Sequence, residues 1–451
     1  MDRRKLAVLA DAARLDAPCG GRRGSVPDRE AALLPTDVEP TAIYESLAAD
    51  GRRVPLLRIL LSNHCVHDCA YCPLRRSADP PRARLAVRDV VRLTLDWHRR
   101  GLVEGLFLSS AVDRDADHTM EQMVEVARTL RRQHHFLGYV HLKVIPEASP
   151  ELIREAGRWA DRVSVNVELP SQRRLDALAP GRRLATMHRA MDRLRDGIAE
   201  AHEVSRRHRF ALDPSRAWRR ALPRFAPAGQ VTQLVVGADD ATDAELLAAA
   251  DALYARQRLR RVYYGAFVRA AVPDAPGDLL PADAPSPLRE RRLYQADWLL
   301  REYGFTVGEL APPDAPDLPL EVDPKLAWAL RHPEAFPVDV NRAPREVLLR
   351  VPGFGRRTVA RILAVRAFHR LRAEDLARLH VPVSRALPFV VLAGHDAAAL
   401  DAAERALREH LARRARAQRG LTARAASSTR RAASSASAPP KTRNSRPSAC
   451  W

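Results

Sequence analysis

The sequence predicts an α/β fold in which a partial (β/α)6 barrel is followed by a small all-α domain. Between residues 54 and 267, six short apolar runs alternate with helical segments, a pattern typical of βαβ units and a parallel sheet. Right-handed crossovers would curl that sheet into a barrel. Six runs fit a partial barrel better than the eight-stranded form. After a Pro-rich acidic stretch, the remaining folded sequence is short and helical in pattern.

Short apolar segments rich in Val, Leu and Ile predict the six strands. They cover residues 54–62, 105–110, 139–145, 162–169, 232–238 and 261–267. In barrels of this kind the chemistry lies at the C-terminal ends of the strands. The residues that close each apolar run are therefore the first candidates for a functional site.

Amphipathic segments with a period near 3.6 predict the helices between these strands. They cover residues 86–101, 119–133, 149–160, 171–207, 243–257 and 286–305. Ser149 is expected to cap the third of them, because its hydroxyl can accept a hydrogen bond from the first helical turn. In the C-terminal region, residues 340–366 predict two helices joined by a tight turn.

Composition shifts divide the chain into five parts. An N-terminal extension covers residues 1–50, and the barrel with a flanking helix covers 51–308. A Pro/Asp-rich linker at 309–322 precedes the helical domain at 323–415. The last part, residues 416–451, is rich in Ala, Ser and Arg, and such low complexity predicts a disordered basic tail.

The charge and the cysteine count restrict the class of protein. The net charge is +19 over 451 residues, and residues 411–451 supply +10 of it through nine Arg and one Lys. A basic body fits either a polyanionic partner or an Arg-rich composition. No apolar run approaches the ~18 residues of a membrane span, and no convincing signal peptide begins the chain. Five cysteines do not make a disulfide framework, so we expect a cytoplasmic protein without a membrane partner.

Three of the five cysteines lie within eight residues, directly after the first predicted strand. Cys65, Cys69 and Cys72 follow the spacing C-x3-C-x2-C, and thiolates are ligands for iron–sulfur clusters or zinc. A structural zinc site needs four ligands, so a zinc knuckle would have to recruit His64, His67 or a remote residue. A cluster held by three thiolates keeps one iron open for catalysis. The spacing alone is compatible with both a zinc knuckle and an iron–sulfur cluster.

The loop resembles the signature of the radical S-adenosylmethionine (SAM) enzymes, with Tyr71 before the third cysteine. The resemblance implies a [4Fe-4S] cluster on Cys65, Cys69 and Cys72. It also implies that SAM binds the open iron through its amino and carboxylate groups. One electron then yields a 5′-deoxyadenosyl radical, and a flavodoxin- or ferredoxin-like protein supplies that electron.

Within this resemblance, other residues are implied to hold the cofactor. Tyr71 would lie near the adenine, and the end of the second strand would receive the amino group. Asn166 and Glu168 alternate with apolar residues, so both point to one face, and a buried polar pair is costly unless it is used. Ribose hydroxyls are the partners we expect. The implied cofactor residues are Tyr71, Ser109, Ser110, Asn166, Glu168, Gln230 and Gly237.

Two further groups of residues have open roles. Lys143, Tyr263 and Tyr264 lie at strand ends, where they could face a substrate or belong to the core. Cys19 is either a stray surface thiol or, within the resemblance, a residue near the barrel mouth that donates a hydrogen atom or binds metal. Cys450 lies in the tail and is expected to be inert.

A closer resemblance, over about residues 5–385, is to radical SAM proteins linked to DNA modification or repair that carry a C-terminal helix-hairpin-helix. Segments such as "LLRILLSNHCVHDCAYC", "HHFLGYVHLKVIPEA" and "VDVNRAPREVLLRVPGFG" carry it. It implies DNA as the partner. The expected activity is therefore DNA repair or modification. The alternatives are a radical SAM enzyme acting on RNA and a non-catalytic nucleic-acid-binding protein with a structural metal.

The tight turn of the C-terminal hairpin has a physical argument for binding phosphate. Gly353 and Gly355 permit the turn, and backbone N–H groups at the start of the next helix would form an anion site. Arg356, Arg357 and Thr358 follow at once. Such contacts would be independent of sequence and sensitive to salt. A plain αα-hairpin and a protein-docking module are the other readings.

Overall fold

The computed structural model describes residues 3–14, 42–47, 53–210, 224–272, 274 and 279–394. The chain divides into two compact units between Leu318 and Pro319, a point inside the predicted linker. Each unit is described by itself below. Among the described residues, no helix is long and apolar enough to cross a membrane.

The first unit is built on one seven-stranded sheet, in which the strands follow the order of the chain. Strand β1 is antiparallel to β2, and strands β2 to β7 are all parallel. The strands are β1 (Ile43–Leu47), β2 (Arg53–Leu60), β3 (Gly105–Ser109), β4 (Tyr139–Lys143), β5 (Arg162–Ser164), β6 (Gln230–Val236) and β7 (Arg261–Ala266). The six predicted parallel strands are confirmed, and β1 is an additional edge strand from the N-terminal extension.

One predicted strand is much shorter than its apolar pattern. β5 ends at Ser164, although alternation continues to residue 169. Beyond it the backbone still runs beside β6, through a bridge between Glu168 and Leu234. The N–H of Val167 donates to the hydroxyl of Thr232 instead of a ladder carbonyl. This side-chain acceptor interrupts the regular ladder and leaves residues 165–169 irregular.

Helices follow most of the strands, as the sequence predicts. They are α1 (Arg3–Arg14), α2 (Val87–Arg99), α3 (Ala116–Arg132), α4 (Pro150–Trp159), α5 (Gln172–Leu178), α6 (Leu184–Phe210), α7 (Asp243–Gln257), α8 (Pro287–Tyr303) and α9 (Val307–Leu310). Ser149 is the N-cap residue of α4, as predicted, but the expected hydrogen bond from its hydroxyl is absent, and its N–H donates to Asp117. Thr242 instead forms a full capping box with Glu245 at the start of α7.

The sheet is curled into a partial barrel. Leu60 at the end of β2 and Gly265 near the end of β7 line the same cavity. In a flat sheet these strands would lie about 24 Å apart, since neighbouring strands are separated by about 4.8 Å. The concave face therefore encloses one cavity at the C-terminal ends of the strands, where the sequence predicts the site.

The second unit is mostly helical, with a small parallel sheet that was not predicted. Its elements are α10 (Pro324–Arg331), β8 (Val338–Asp339), α11 (Arg345–Leu348), α12 (Arg356–Arg366), α13 (Ala373–Arg378), α14 (Val383–Ala386) and β9 (Val390–Val391). β8 pairs with β9. The two predicted helices around the tight turn are α11 and α12. Residues 395–451, which hold the predicted tail and Cys450, lie outside the described residues.

A buried lysine stabilises the turn between α11 and α12. Lys325 is 7% exposed, and its Nζ donates to the carbonyl of Phe354 at 2.6 Å. Burial lowers the pKa of Lys325 to about 7, although the nearby Asp323 carboxylate opposes the shift. The amine thus anchors the turn from the core of the second unit.

This lysine should make the stability of the second unit depend on pH. Its folded-state pKa lies below the unfolded value of about 10.4, so the unfolded chain binds more protons between pH 7 and 10. The free energy of unfolding should therefore rise with pH across that window. Hydrogen exchange of the α12 amides, corrected for intrinsic rates, should show this rise and lose it in Lys325→Met. An unchanged pH profile in Lys325→Met, or its loss in the exposed control Lys5→Met, would contradict the assignment.

Candidate active site

The three clustered cysteines lie on the loop that follows β2. Their side chains are free thiols, each half-buried, and all three line one cavity of 260 Å³. The same cavity is lined from the other strand ends by Ser110, Lys143, Asn166, Gln233 and Gly265. The structure thus brings the cysteines of one loop together with polar residues of the parallel strands.

A single arginine connects the two ends of the cysteine loop. The guanidinium of Arg82 donates to the carbonyl oxygens of Asn63, Leu74, Arg75 and Ala78. The loop has no regular secondary structure, so these carbonyls lack ladder partners. A guanidinium carries five N–H donors in a rigid plane, which allows one side chain to satisfy all four.

Hydrogen bonds to β3 fix the start of the loop. The N–H of Leu61 donates to Ser109 at 2.9 Å, and the N–H of Val66 donates to Val112 at 2.9 Å. The side-chain amide of Asn63, which is buried, donates to Pro81 and accepts from the N–H of Ala83. The first cysteine therefore lies on backbone that is held on both sides.

The middle of the loop has its own ion pair and turn. Buried Arg75 contacts Asp274 at 2.9 Å and donates to the carbonyl of Cys72. The carboxylate of Asp68 accepts from both the N–H and the hydroxyl of Ser77. These bonds fix the backbone on either side of the second and third cysteines.

Burial makes two of the thiols poor acids until a metal binds. Burial raises the pKa of Cys69 to about 12 and that of Cys72 to about 12. Nearby Glu168 adds to the rise at both thiols, whereas Arg182 opposes it at Cys69. Metal binding requires the thiolate form and releases the proton, so iron must displace protons here.

A charged cluster surrounds the cysteines on one side of the cavity. Arg182 contacts Glu147 at 3.2 Å, and both side chains are largely buried. Burial raises the pKa of Tyr71, and the Glu168 carboxylate contributes to this rise. Burial lowers the pKa of His67, with a further contribution from Arg182. This side of the cavity thus combines a cation and two carboxylates with a phenol.

Glu168 has an unusual backbone conformation. Its φ is +69°, a region that few residues other than glycine occupy. The N–H of Leu169 donates to Val167 at 2.9 Å, which closes a three-residue turn around Glu168. The N–H of Glu168 donates to the carbonyl of Gln233, and the carbonyl of Glu168 accepts from the N–H of Val235. Strained residues concentrate at functional sites, and this strain turns the carboxylate toward the cavity.

The structure assembles some of the predicted cofactor residues and not others. Tyr71, Ser110, Asn166 and Glu168 line the cavity with the cysteines. Ser109 is buried at the end of β3 and does not line it. Cys19 lies outside the described residues.

Two predicted residues, one in β6 and one directly after it, lie away from the cavity. Gln230 is at the opposite end of the strand, and its amide donates to the carbonyl of Gln257. Gly237 has a φ of +74°, and a side chain there would collide with Pro285. Gln233, three residues after Gln230, lines the cavity instead.

Sequence reasoning missed Arg182 and Gln233. Arg182 belongs to the connection between α5 and α6, and no local pattern predicts that this connection returns to the strand ends. Gln233 could have been found, because it is two residues from both Val231 and Val235 in β6, a spacing that places all three on one face. Among the substrate-side candidates, Lys143 lines the cavity, while Tyr264 is buried against α8 and donates to Asp297.

The donor set fits an iron–sulfur cluster. Among the described residues, no three Cys, His, Asp or Glu side chains converge closely enough to hold a single metal ion. A four-iron cluster binds each thiolate at a different iron, so its ligands do not have to converge on one point. Cys65, Cys69 and Cys72 would hold such a cluster.

The predicted phosphate-binding hairpin lies in the second unit. Gly353 has a φ of +87°, and Gly355 is the N-cap of α12. Arg356 and Arg357 are exposed, and Thr358 is half-buried. Buried Phe354 anchors the turn between the two glycines.

Residues 59–205 match the family model of the radical SAM superfamily. The matched segment contains the cysteine loop, Ser110, Asn166 and Glu168. It is therefore a radical SAM domain, and enzymes of this superfamily use a [4Fe-4S] cluster and SAM. A search of curated proteins finds no match.

Solved structures with detectable similarity include two of HydG and one of HemN. HydG, a maturase of the [FeFe]-hydrogenase, shares 15% identity over 53% of this chain and 48% of its own, with a TM-score of 0.37. HydG from Carboxydothermus hydrogenoformans shares 13% over 53% and 50%, with a TM-score of 0.37. HemN, the coproporphyrinogen III oxidase of Escherichia coli, shares 14% over 52% and 50%, with a TM-score of 0.31. The chain thus spans about half the length of these proteins, and the assignment rests on the family model and the site.

Loss of the Arg82 guanidinium should prevent stable cluster binding without unfolding the barrel. Arg82→Met removes a charged donor from four loop carbonyls, so ordering the loop around iron becomes more costly. We expect iron content after anaerobic reconstitution to fall below about half of the wild-type value. Arg76→Met, an exposed arginine of the same loop, is the matched control and should bind iron normally. Equal iron content in both variants, with unchanged circular dichroism, would show that Arg82 does not hold the loop.

Proposed function

We propose that this protein is a radical SAM enzyme that acts on DNA, in repair or modification. One observation carries the radical chemistry: three thiols on a fixed loop share a cavity with Asn166 and Glu168 inside the matched domain. The hairpin of the second unit supports DNA as the substrate. The reaction would start with hydrogen abstraction from a base or a sugar.

The residues of the chain have separate tasks in this proposal. When bound and reduced, the cluster supplies one electron that cleaves SAM to methionine and a 5′-deoxyadenosyl radical. Cys65, Cys69 and Cys72 hold the cluster, and Asn166 and Glu168 accept or donate hydrogen bonds at the ribose hydroxyls. Arg182, paired with Glu147, presents a positive charge to an anionic group beside the cysteines. Phe267 and Val268 add apolar surface to the lining of the same cavity.

The second unit is suited to the backbone of a nucleic acid. Residues 319–394 contain 13 Arg and Lys against 7 Asp and Glu, which favours a polyanionic partner. At the N-terminus of α12, the backbone N–H groups lack helical acceptors, and exposed Arg356 and Arg357 stand beside them. Lys325 holds the turn from below through Phe354. Phosphate contacts of this kind position a protein on DNA without reading its sequence.

Cluster assembly and SAM cleavage should both depend on the third cysteine. The reconstituted full-length protein should bind about four irons per chain and absorb near 400 nm, and it should release 5′-deoxyadenosine from SAM when reduced. Cys72→Ser should lose most of the iron and all of the cleavage, while Arg76→Gln, at an exposed position of the same loop, should retain both. Tight binding of zinc with no cleavage of SAM would support the non-catalytic alternative instead.

The hairpin arginines should contribute to DNA affinity through charge. Exchanging both Arg356 and Arg357 for Gln should weaken binding to duplex DNA by about tenfold at 0.15 M salt and lower the salt slope by about two. Arg154→Gln, an exposed arginine of α4, should change neither quantity. An unchanged salt slope in the double variant would refute the hairpin as the DNA contact. Equal affinity of the wild-type protein for structured RNA would favour the RNA alternative.

A further inference from the structure

Helix α12 of the second unit presents a basic face to solvent. Its 11 residues contain no Asp or Glu. Val359 and Ile362 are buried, and the exposed positions lie on the other side of the helix. The helix carries four arginines, Arg356, Arg357, Arg361 and Arg366. A helix with this charge is suited to a polyanionic partner.

An exposed aromatic ring lies on the same face, directly after the helix. Phe368 is 94% exposed. The helical winding continues as far as this residue, because the N–H groups of Phe368 and His369 both donate to the carbonyl of Val365. Since each residue turns the helix by about 100°, Arg357, Arg361 and Phe368 lie within a stripe about 40° wide. One line along the surface thus joins two cations to a ring.

Short side chains accompany this line of residues. Ala360, Ala364 and Ala367 are exposed, so nothing bulky stands between the arginines and the ring. We call Arg357, Arg361, Ala364 and Phe368 the α12 stripe. At 1.5 Å per residue, the stripe is about 16 Å long. That length corresponds to about five nucleotides of one DNA strand, at about 3.4 Å each.

Hydrogen bonds hold the backbone on both sides of Phe368. The guanidinium of Arg366 donates to two carbonyls of the β8–α11 connection, at 3.0 and 2.6 Å. On the other side, the imidazole of His369 contacts the carboxylate of Asp375 at 2.9 Å. A ring on a fixed backbone loses little conformational freedom when it binds a partner. The exposure of Phe368 is therefore a property of an ordered turn.

Aromatic rings next to cations bind single-stranded nucleic acids. Bases stack on the rings, and the cations neutralise the phosphates. The guanidinium of Arg361 donates to the carbonyl of Leu379 at 3.1 Å, and its five N–H groups allow further bonds to phosphate. A base inside a duplex has both faces covered by its neighbours. Only an unpaired base can therefore stack on Phe368.

We propose that the α12 stripe follows one DNA strand and that Phe368 stacks on an unpaired base of that strand. This inference rests on the proposed function and deepens it, because it specifies the substrate class as DNA that contains an unpaired base. Enzymes that modify a base need it outside the stack. The hairpin, Arg357 and Arg361 would bind phosphates, and Phe368 would select the strand with the unpaired base.

Fluorescence anisotropy with the reconstituted full-length protein at 0.15 M salt tests this. Two labelled probes of the same sequence would be compared: an intact duplex, and a duplex with one extra unpaired thymidine. The bulged duplex should bind about tenfold more tightly, because it adds one contact between a base and a ring. Equal affinity for the two probes would refute the inference.

Variants assign the preference to the ring. Phe368→Leu should bind the intact duplex like the wild type but lose the preference for the bulged one. Phe368→Tyr should keep the preference, because tyrosine also offers an aromatic face. Leu137→Ala changes an apolar residue of the first unit that is 92% exposed, and this control should keep the preference too. A Phe368→Leu protein that still prefers the bulged duplex would overturn the inference and favour a protein partner for the stripe.

The arginine of the stripe should act on both probes alike. Arg361→Gln should weaken binding of the intact and the bulged duplex by the same factor and lower the salt slope by about one. An unchanged salt slope would show that the strand does not follow the stripe.

A fluorescent base reports the stacking contact itself. With 2-aminopurine at the unpaired position, stacking on an aromatic ring lowers the fluorescence. The saturated complex of the wild-type protein should therefore be dimmer than that of Phe368→Leu. Equal fluorescence of the two complexes would contradict the contact.

The outcome can be separated from that of the proposed function. If the wild-type protein binds the intact duplex in a salt-dependent manner but shows no preference for the bulged one, only the stacking contact fails. If it binds neither probe, DNA fails as the substrate and the inference fails with it. Cleavage of SAM, measured in the same preparation, tests the radical chemistry independently of both.

Discussion

The site depends on the guanidinium of Arg82 and the four carbonyls it satisfies in the cysteine loop. Loop residues cost about 1–2 kcal/mol each in conformational entropy when they are ordered. Hydrogen bonds to a charged donor return about 1.5–3 kcal/mol each. One side chain therefore offsets much of the cost of holding an irregular loop in place. The loop can then present three thiols while its backbone stays free of helix and sheet.

The curled sheet gives the fixed loop its surroundings. Because all six parallel strands end at one edge, polar residues from different strands meet the thiols without being close in sequence. Glu168 and Arg182 line the cavity near the cysteines, and Lys143 lines it from the end of β4. Charged groups of both signs therefore line the same cavity as the thiols.

Local sequence patterns predicted most of the alternating strands and helices of the first unit. The six parallel strands, their helices and the position of the cysteines after β2 follow from hydrophobic periodicity and spacing. Strand β1 could not be predicted because five residues of mixed polarity form it, and its pairing with β2 decides its conformation. The choice of Gln230 over Gln233 was an error of about three strand positions, or roughly 10 Å. Arg182 depends on a return of the chain that only tertiary structure reveals, and Cys19 lies outside the described residues.

The proposed radical chemistry requires that three thiolates leave one iron of a cluster open to SAM within this cavity. Electron–nuclear double resonance on the reduced, reconstituted protein tests it most directly, with SAM labelled with ¹⁵N at its amino group. The account predicts a hyperfine coupling from that nitrogen to the cluster, which disappears when unlabelled SAM is in excess. A reduced cluster whose spectrum shows no coupling to the labelled nitrogen at saturating SAM would contradict it.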